Sequence, residues 1–395
     1  MSETTIPRSG EMGSNRLAVN LFGTEYTSPL VVASGTLVET FDEIDPYVEA
    51  GAGAVIPRST RLEMVRSVHP SPHLYMDGKG QNGNMINGEW TGADINYWRQ
   101  YLETMAASGE DGQKIIMSVS GRDIAGCVAV CKELDQYGFP LLEVNISCGV
   151  SNGVHGYITR NLQHIEQVCS ELKSAGIRTP IALKLGHSDG IVELAGIAKE
   201  AGADAITAIN TFGPVFDFRI GSDGTPGRIV GAQGAKGGLS GSAVFHMALT
   251  DVAEISRQIN IPVLASGGVM NAERAVKMIM AGASLVQLYT VLHEKGINAP
   301  AALSRLTREM LSYMEQHNIS QIADVKGVAL PLMERSTELK PRIPLVNVLG
   351  CIGCNACVRV CLPGAFQEIE ADNRAGHAVA IDQDSCVGCG HCISE

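Results

Sequence analysis

The chain has 395 residues, 45% of them apolar and 18% charged, which is enough to fill one large domain and a small appendage. A formal net charge of −12 argues against nucleic acid as the main partner, since phosphate binding needs a basic footprint. Met1 to Arg16 is polar with no signal-like apolar segment, and no later run has the length of a membrane span, so the 11 cysteines point to thiolates and metal in the cytoplasm rather than to disulfides.

From Pro29 to His293 the sequence repeats a short β-branched run, a loop and a helical stretch. The runs are Leu30 to Ser34, Ala54 to Pro57, Ile115 to Val119, Leu141 to Ile146, Ile181 to Leu185, Ala205 to Ile209, Val263 to Ala265 and Leu285 to Leu288. Each is apolar on both faces, as strands of a covered parallel sheet must be, and stretches such as Leu162 to Ala175, Ile191 to Ala201 and Ala272 to Ala281 are amphipathic at helical spacing. This alternation predicts an α/β chain folded as a (β/α)8 TIM barrel, because a doubly wound sheet would not normally need so many units. The Gly-rich stretch Phe212 to Gly241 is too polar for core and predicts a loop over the mouth of the barrel. A last helix is expected from about Ala301 to Asn318, closing a barrel domain of residues 1–318. A linker over 319–345 ends in the stiff Lys340-Pro341-Arg342-Ile343-Pro344, before a cysteine domain at 346–395.

That last domain holds two runs, Cys351-x-x-Cys354-x-x-Cys357-x-x-x-Cys361 and Cys386-x-x-Cys389-x-x-Cys392. Zinc needs four ligands and has no use for a third cysteine in one short run, although zinc ribbons and disulfides remain alternatives. Two [4Fe–4S] clusters use that third cysteine, and the fourth reaches across to the other cluster. On this logic Cys361 joins Cys386, Cys389 and Cys392. The fourth ligand for Cys351, Cys354 and Cys357 would fall one residue past Glu395, so a chain that continues beyond it is expected, with an open iron, a non-cysteine ligand or a three-iron cluster as alternatives.

Barrel enzymes carry their chemistry on the loops after the strands, with a phosphate site commonly after strands seven and eight. Ser266-Gly267-Gly268 and Tyr289-Thr290 occupy those places, where small residues let backbone N–H groups meet a phosphate. Asn145-Ile146-Ser147-Cys148 follows strand four, Lys184 ends strand five and Asn210-Thr211 follows strand six. Such a set could hold a flat, amide-rich ring beside a titratable thiol. Cys127, Cys131 and Cys169 have no polar company and read as core.

Together with Ala33-Ser34-Gly35, Gly237-Gly238-Leu239-Ser240-Gly241 and Gln287-Leu288-Tyr289-Thr290, these motifs resemble the dihydroorotate dehydrogenase superfamily from about Leu17 to Leu292. The fused cysteine runs narrow the resemblance to its dihydropyrimidine dehydrogenase branch. The resemblance implies FMN, with its phosphate on Gly267, Gly268, Tyr289 and Thr290, and Ser240 and Gly241 alongside. It implies flavin contacts from Ala33, Ser34, Gly35, Arg58, Ser59 and Lys184, and pyrimidine contacts from Asn87, Asn145, Asn210 and Thr211. Cys148 falls on the family's acid/base position, and a neutral thiol can donate the proton that accompanies hydride transfer. The implied reaction interconverts uracil or thymine and the 5,6-dihydro form. The alternatives are oxidation of dihydroorotate, reduction of another unsaturated cyclic amide, or service as an electron-carrier subunit without its own substrate.

Two residues depart from the family pattern: Arg58 stands where lysine is usual, and Gly149 follows Cys148 where proline is usual. The run Gly78-Lys79-Gly80-Gln81-Asn82-Gly83 fits a dinucleotide fingerprint, but Asn84, Asn87 and Gly88 do not open a helix. With no other nucleotide fold in view, electrons are expected from an NAD(P)H-oxidising flavoprotein subunit or a ferredoxin, and an oligomer is expected.

Overall fold

Eight short strands form one parallel sheet: β1 (Leu30–Val32), β2 (Ala54–Val55), β3 (Met117–Val119), β4 (Leu142–Asn145), β5 (Ile181–Leu185), β6 (Ala205–Ala208), β7 (Val263–Ser266) and β8 (Leu285–Leu288). The structure is a computed structural model that describes residues 15–63, 74–77, 83–87, 94–108, 114–121, 123–147, 162–230, 237–333 and 343–393. The strand order β2-β1-β8-β7-β6-β5-β4-β3 brings β2 and β3 together at the seam, where Val55 bridges Ile115 and the Ile116 N–H donates to the Val55 carbonyl at 3.1 Å. The sheet therefore closes on itself, as the sequence periodicity predicts.

Outside the strands lie α1 (Asp45–Glu49), α2 (Ile95–Ser108), α3 (Ile124–Leu134), α4 (Leu162–Ser174), α5 (Ile191–Glu200), α6 (Phe245–Gln258), α7 (Ala272–Met280) and α8 (Ala299–Gln316). Their apolar stripes and the outward strand residues, Leu30, Val32, Leu183 and Val286 among them, make the larger core. Cys127, Cys131 and Cys169 are buried in it or at its edge, as expected for small apolar residues, and burial pushes each thiol's pKa up.

The barrel interior follows the two-residue period of a strand. Val31, Ile56, Ile116, Leu141, Ala182, Ala205, Leu264 and Leu285 form one apolar layer, sealed by Leu21 and Tyr26 from the hairpin Val19–Leu21/Thr24–Tyr26. Two residues further along each run stand Ala33, Arg58, Ser118, Glu143, Lys184, Thr207, Ser266 and Gln287. The interior thus changes from apolar to mostly polar toward the C-terminal ends of the strands.

Phe212 to Gly241 is not simply a loop. Phe212–Val215 pairs antiparallel with Gly237–Gly241, which pairs with Asn84–Asn87, which pairs with Leu74–Asp77. Asp217–Ile220 and Pro226–Val230 form a further hairpin. Glycine is a poor strand former in isolation, and here backbone pairing to Asn84–Asn87 overrides that preference. The same strand follows Gly83, where a dinucleotide fingerprint would open a helix.

The chain divides into two compact units, Met1–Met333 and Glu334–Glu395. Residues 319–333, expected in the linker, belong to the first: Ile322 is fully buried, and the N–H groups of Gly327 and Ala329 bond the carbonyls of Ile279 and Met280 at 3.0 Å each. The second unit carries a short helix Ala356–Val360 inside the first cysteine run and the hairpin Phe366–Glu370/His377–Ile381 between the two runs. Among the described residues no helix is long and apolar enough to cross a membrane.

Candidate active site

A cavity opens at the C-terminal ends of the barrel strands. Ala33, Ser34 and Gly35 line it after β1, Arg58 and Ser59 after β2, Asn145 and Lys184 at the ends of β4 and β5, and Asn210 and Thr211 after β6. Ser240 and Gly241 come from the inserted sheet, Gly267 and Gly268 from the turn after β7, and Tyr289 and Thr290 from the end of β8. The backbone of Asn87 pairs with Gly238 in that sheet. Cys148 and Gly149 lie outside the described residues.

The floor of the cavity is a buried charge network. Lys184 Nζ donates to Glu143 Oε1 at 3.0 Å and to Gln287 Oε1 at 3.3 Å, while Thr207 Oγ1 and Gln287 Nε2 donate to Glu143 Oε2 at 3.0 and 2.5 Å. Glu143 has no exposed surface, so the ammonium is its counter-charge and the amide and hydroxyl occupy its second oxygen.

One wall is a chain of neutral polar groups. The Ser59 and Ser118 hydroxyls lie 2.8 Å apart, and Asn145 Nδ2 donates to Ser59 Oγ at 3.3 Å. Asn210 Nδ2 donates to Asn145 Oδ1 and to Ser147 Oγ at 3.0 Å each, and Asn210 Oδ1 accepts from the Thr211 N–H at 2.8 Å. These bonds fix which way both carboxamides point, and therefore which donors and acceptors a ring in the cavity would meet.

The opposite wall is built for close approach. Gly267 and Gly268 have φ of +123° and +71°, and a Cβ on Gly268 would come within 2.6 Å of the Phe245 backbone. A Cβ on Gly35 would overlap the Tyr289 ring, whose hydroxyl is 2.7 Å from Thr36 Oγ1. Thr290 Oγ1 is 3.0 Å from Ser240 Oγ, and Arg274 Nη1 donates to the Gly268 carbonyl and to Ser242 Oγ at 2.9 Å each. Bare backbone, hydroxyls and a nearby guanidinium make a donor set suited to a phosphate. At the mouth Arg58, 8% exposed, forms an ion pair with Glu39.

Glu143, Thr207 and Gln287, the last quoted in a motif but given no role, together with Arg274 and Glu39, were not assigned to the site from sequence. The first three were accessible to it, since counting by twos from the interior residues Leu141, Ala205 and Leu285 reaches them. Arg274 and Glu39 meet the site through tertiary contacts that no local pattern encodes.

In the second unit Cys361, Cys386, Cys389 and Cys392 line one small cavity, while among the described residues no three His, Cys, Asp or Glu side chains stand together closely enough to hold a metal ion. The two runs repeat one backbone: Gly353 and Gly388 have φ of +69° and +68°, and Asn355 and Gly390 have +54° and +75°. The Ala365 N–H reaches Cys361 Sγ at 3.3 Å, the kind of donor that an anionic cluster sulfur accepts.

The family model for dihydroorotate dehydrogenase matches residues 16–314, and that for a 4Fe-4S dicluster domain matches 350–395. The chain belongs to the dihydroorotate dehydrogenase family. It is similar to the catalytic subunit of dihydroorotate dehydrogenase B (NAD(+)) from Methanocaldococcus jannaschii, 28% identical over 324 residues that cover 80% of this chain and 99% of the relative. The corresponding subunit from Alkaliphilus metalliredigens is 30% identical over 329 residues, covering 79% and 98%. Among solved structures, that of the Eimeria tenella enzyme DHODH in complex with ferulenol superposes with a TM-score of 0.64 at 19% identity, covering 82% of this chain and 91% of that one, which supports the fold. The chain is thus an oxidoreductase of a flavoprotein family, with an iron–sulfur domain fused behind its barrel.

Proposed function

We propose that this protein interconverts a pyrimidine and its 5,6-dihydro form, with FMN at the barrel mouth and two [4Fe–4S] clusters passing electrons to or from a second protein. One observation carries the reading: Asn145, Asn210 and Lys184 share a cavity with Gly267, Gly268, Tyr289 and Thr290, in a barrel of the dihydroorotate dehydrogenase family. FMN, when bound, supplies hydride exchange at one ring carbon. Gly241, Gly267, Gly268, Tyr289 and Thr290 would hold its phosphate, and Ala33, Ser34, Gly35, Arg58, Ser59, Lys184 and Ser240 would flank the rest. Asn87, Asn145, Asn210 and Thr211 would orient the pyrimidine through its amide edge. Cys148 Sγ would give or take the proton at the neighbouring ring carbon, a task for which a thiol near its reference pKa of about 8.5 is suited. The clusters would convert a two-electron exchange into single-electron steps, and the electron partner would be a flavoprotein subunit or a ferredoxin.

Dihydroorotate is the first substrate in this reading, because relatives matched over nearly their whole length are named for it. A second reading, uracil or thymine, is favoured by the Arg58–Glu39 pair: the carboxylate of dihydroorotate would meet a cation whose charge is already balanced. The test is anaerobic reduction of the purified chain, followed by its flavin absorbance as orotate, uracil or thymine is added. Reoxidation by orotate alone selects the first reading and by uracil or thymine alone the second. A flavin that none of them reoxidises overturns the pyrimidine assignment.

A further inference from the structure

Arg58 lines the cavity with only 8% of its surface exposed, and its Nη1 is bonded to Glu39 Oε1, whose side chain is 46% exposed. The contact is built into the backbone. Glu39 directly follows Val38, whose carbonyl accepts from the Arg58 N–H at 2.8 Å, so the loops after β1 and β2 are joined one residue from the carboxylate. Tyr289 holds the same β1 loop from the other side through Thr36, at 2.7 Å between hydroxyl oxygens. An arginine at a cavity wall is suited to a carboxylate in bidentate geometry, but a partner already on the guanidinium removes much of that attraction.

We infer that Glu39 is a specificity-determining residue: it balances the charge of Arg58 so that the cavity gives a ring carboxylate little advantage over an uncharged substituent. The inference rests on the pyrimidine reading and adds to it the charge class of the ring that the site selects. Glu39 acts through Arg58, and its removal shifts the choice between substrates more than it shifts flavin binding.

The experiment uses the full chain with its flavin and clusters. Dissociation constants for orotate and for uracil are taken from the perturbation of the flavin spectrum in wild type, Glu39→Gln and Glu39→Asp. The Gln variant keeps a hydrogen-bonding group and loses the charge, so its preference for orotate over uracil should rise roughly 10- to 100-fold, as one charge at a part-buried site warrants. The Asp variant keeps the charge and should stay within about threefold of wild type. An unchanged ratio in a Gln variant that retains flavin overturns the inference while leaving the pyrimidine reading intact. If neither ring perturbs the wild-type flavin, the pyrimidine reading falls and the inference falls with it. Should the Gln variant lose its flavin, the wild type decides: orotate and its uncharged carboxamide should bind within about threefold of each other, and a preference for the carboxylate above about tenfold overturns the inference.

Discussion

Lys184 Nζ lies 3.0 Å from Glu143 Oε1, with the lysine side chain 5% exposed and the glutamate fully buried. The pair sits where the barrel interior turns from apolar to polar, so each charge depends on the other in place of water. Glu143→Leu would leave an uncompensated buried ammonium and should lower barrel stability by about 3–5 kcal/mol, read as a fall in the denaturant midpoint by circular dichroism. The double variant Glu143→Leu with Lys184→Met removes both charges and should recover most of that loss. A double variant as unstable as the single would show that the network, not the charge balance, is what counts.

Gly268 offers a test of the flavin site that leaves the clusters alone. Alanine there must adopt φ near +71° and place its Cβ within 2.6 Å of the Phe245 backbone, so the turn after β7 has to shift. Gly268→Ala should lower FMN affinity about tenfold or more, measured by fluorescence as the flavin is removed and re-added. Iron content should stay at the wild-type level.

The eight strands were legible in the sequence because each is a short apolar run that must be covered on both faces, and that periodicity needs no tertiary knowledge. The residues around the mouth were legible for a related reason: barrel chemistry collects at strand ends, so Asn145, Lys184, Asn210 and Gly268 could be located once the strands were. The strands inside Phe212 to Gly241 were hidden, since Gly237–Gly241 is held by pairing with Asn84–Asn87, a partner some 150 residues away. Residues 319–333 misled for the opposite reason, as the few apolar side chains that seat them, Ile322 above all, are too sparse to form a pattern.

The neutral polar wall should separate binding from chemistry. Asn210→Ala would leave the Thr211 N–H, Asn145 Oδ1 and Ser147 Oγ without that partner and should lower kcat/KM roughly 10- to 100-fold, with flavin content unchanged. Cys148→Ala should cost kcat roughly 10²- to 10⁴-fold, the usual worth of a positioned proton donor, with a smaller change in KM. A Cys148→Ala enzyme of wild-type rate would favour the view of the chain as an electron carrier without its own substrate.

His293 predicts a pH dependence. Its ring lies tilted against Tyr289 at 5.5 Å between centroids, and burial holds its pKa below the ordinary 6.5. The unfolded chain therefore binds a proton more readily than the folded one once the pH drops below about 6.5, and stability falls with pH from there toward the lowered value. Wild type should lose more stability than His293→Gln between pH 7.5 and pH 5.5. Equal losses would mean that this ring takes up its proton without cost in the fold.

The crossed cysteine set gives the sharpest test of the second unit. Cys361 belongs in sequence to the first run but lines a cavity with Cys386, Cys389 and Cys392, and under the crossed ligation proposed for two clusters serine in its place removes a ligand from the second run's cluster. Cys361→Ser should lose or perturb one cluster, seen as a changed set of signals in electron paramagnetic resonance of the reduced protein and as up to half of its iron. Cys354→Ser should alter the other set. If the two variants change the same signals, the ligands are not crossed and each run holds its own cluster. The flavin should stay bound in both, because Gly267, Gly268 and Thr290 belong to the other compact unit.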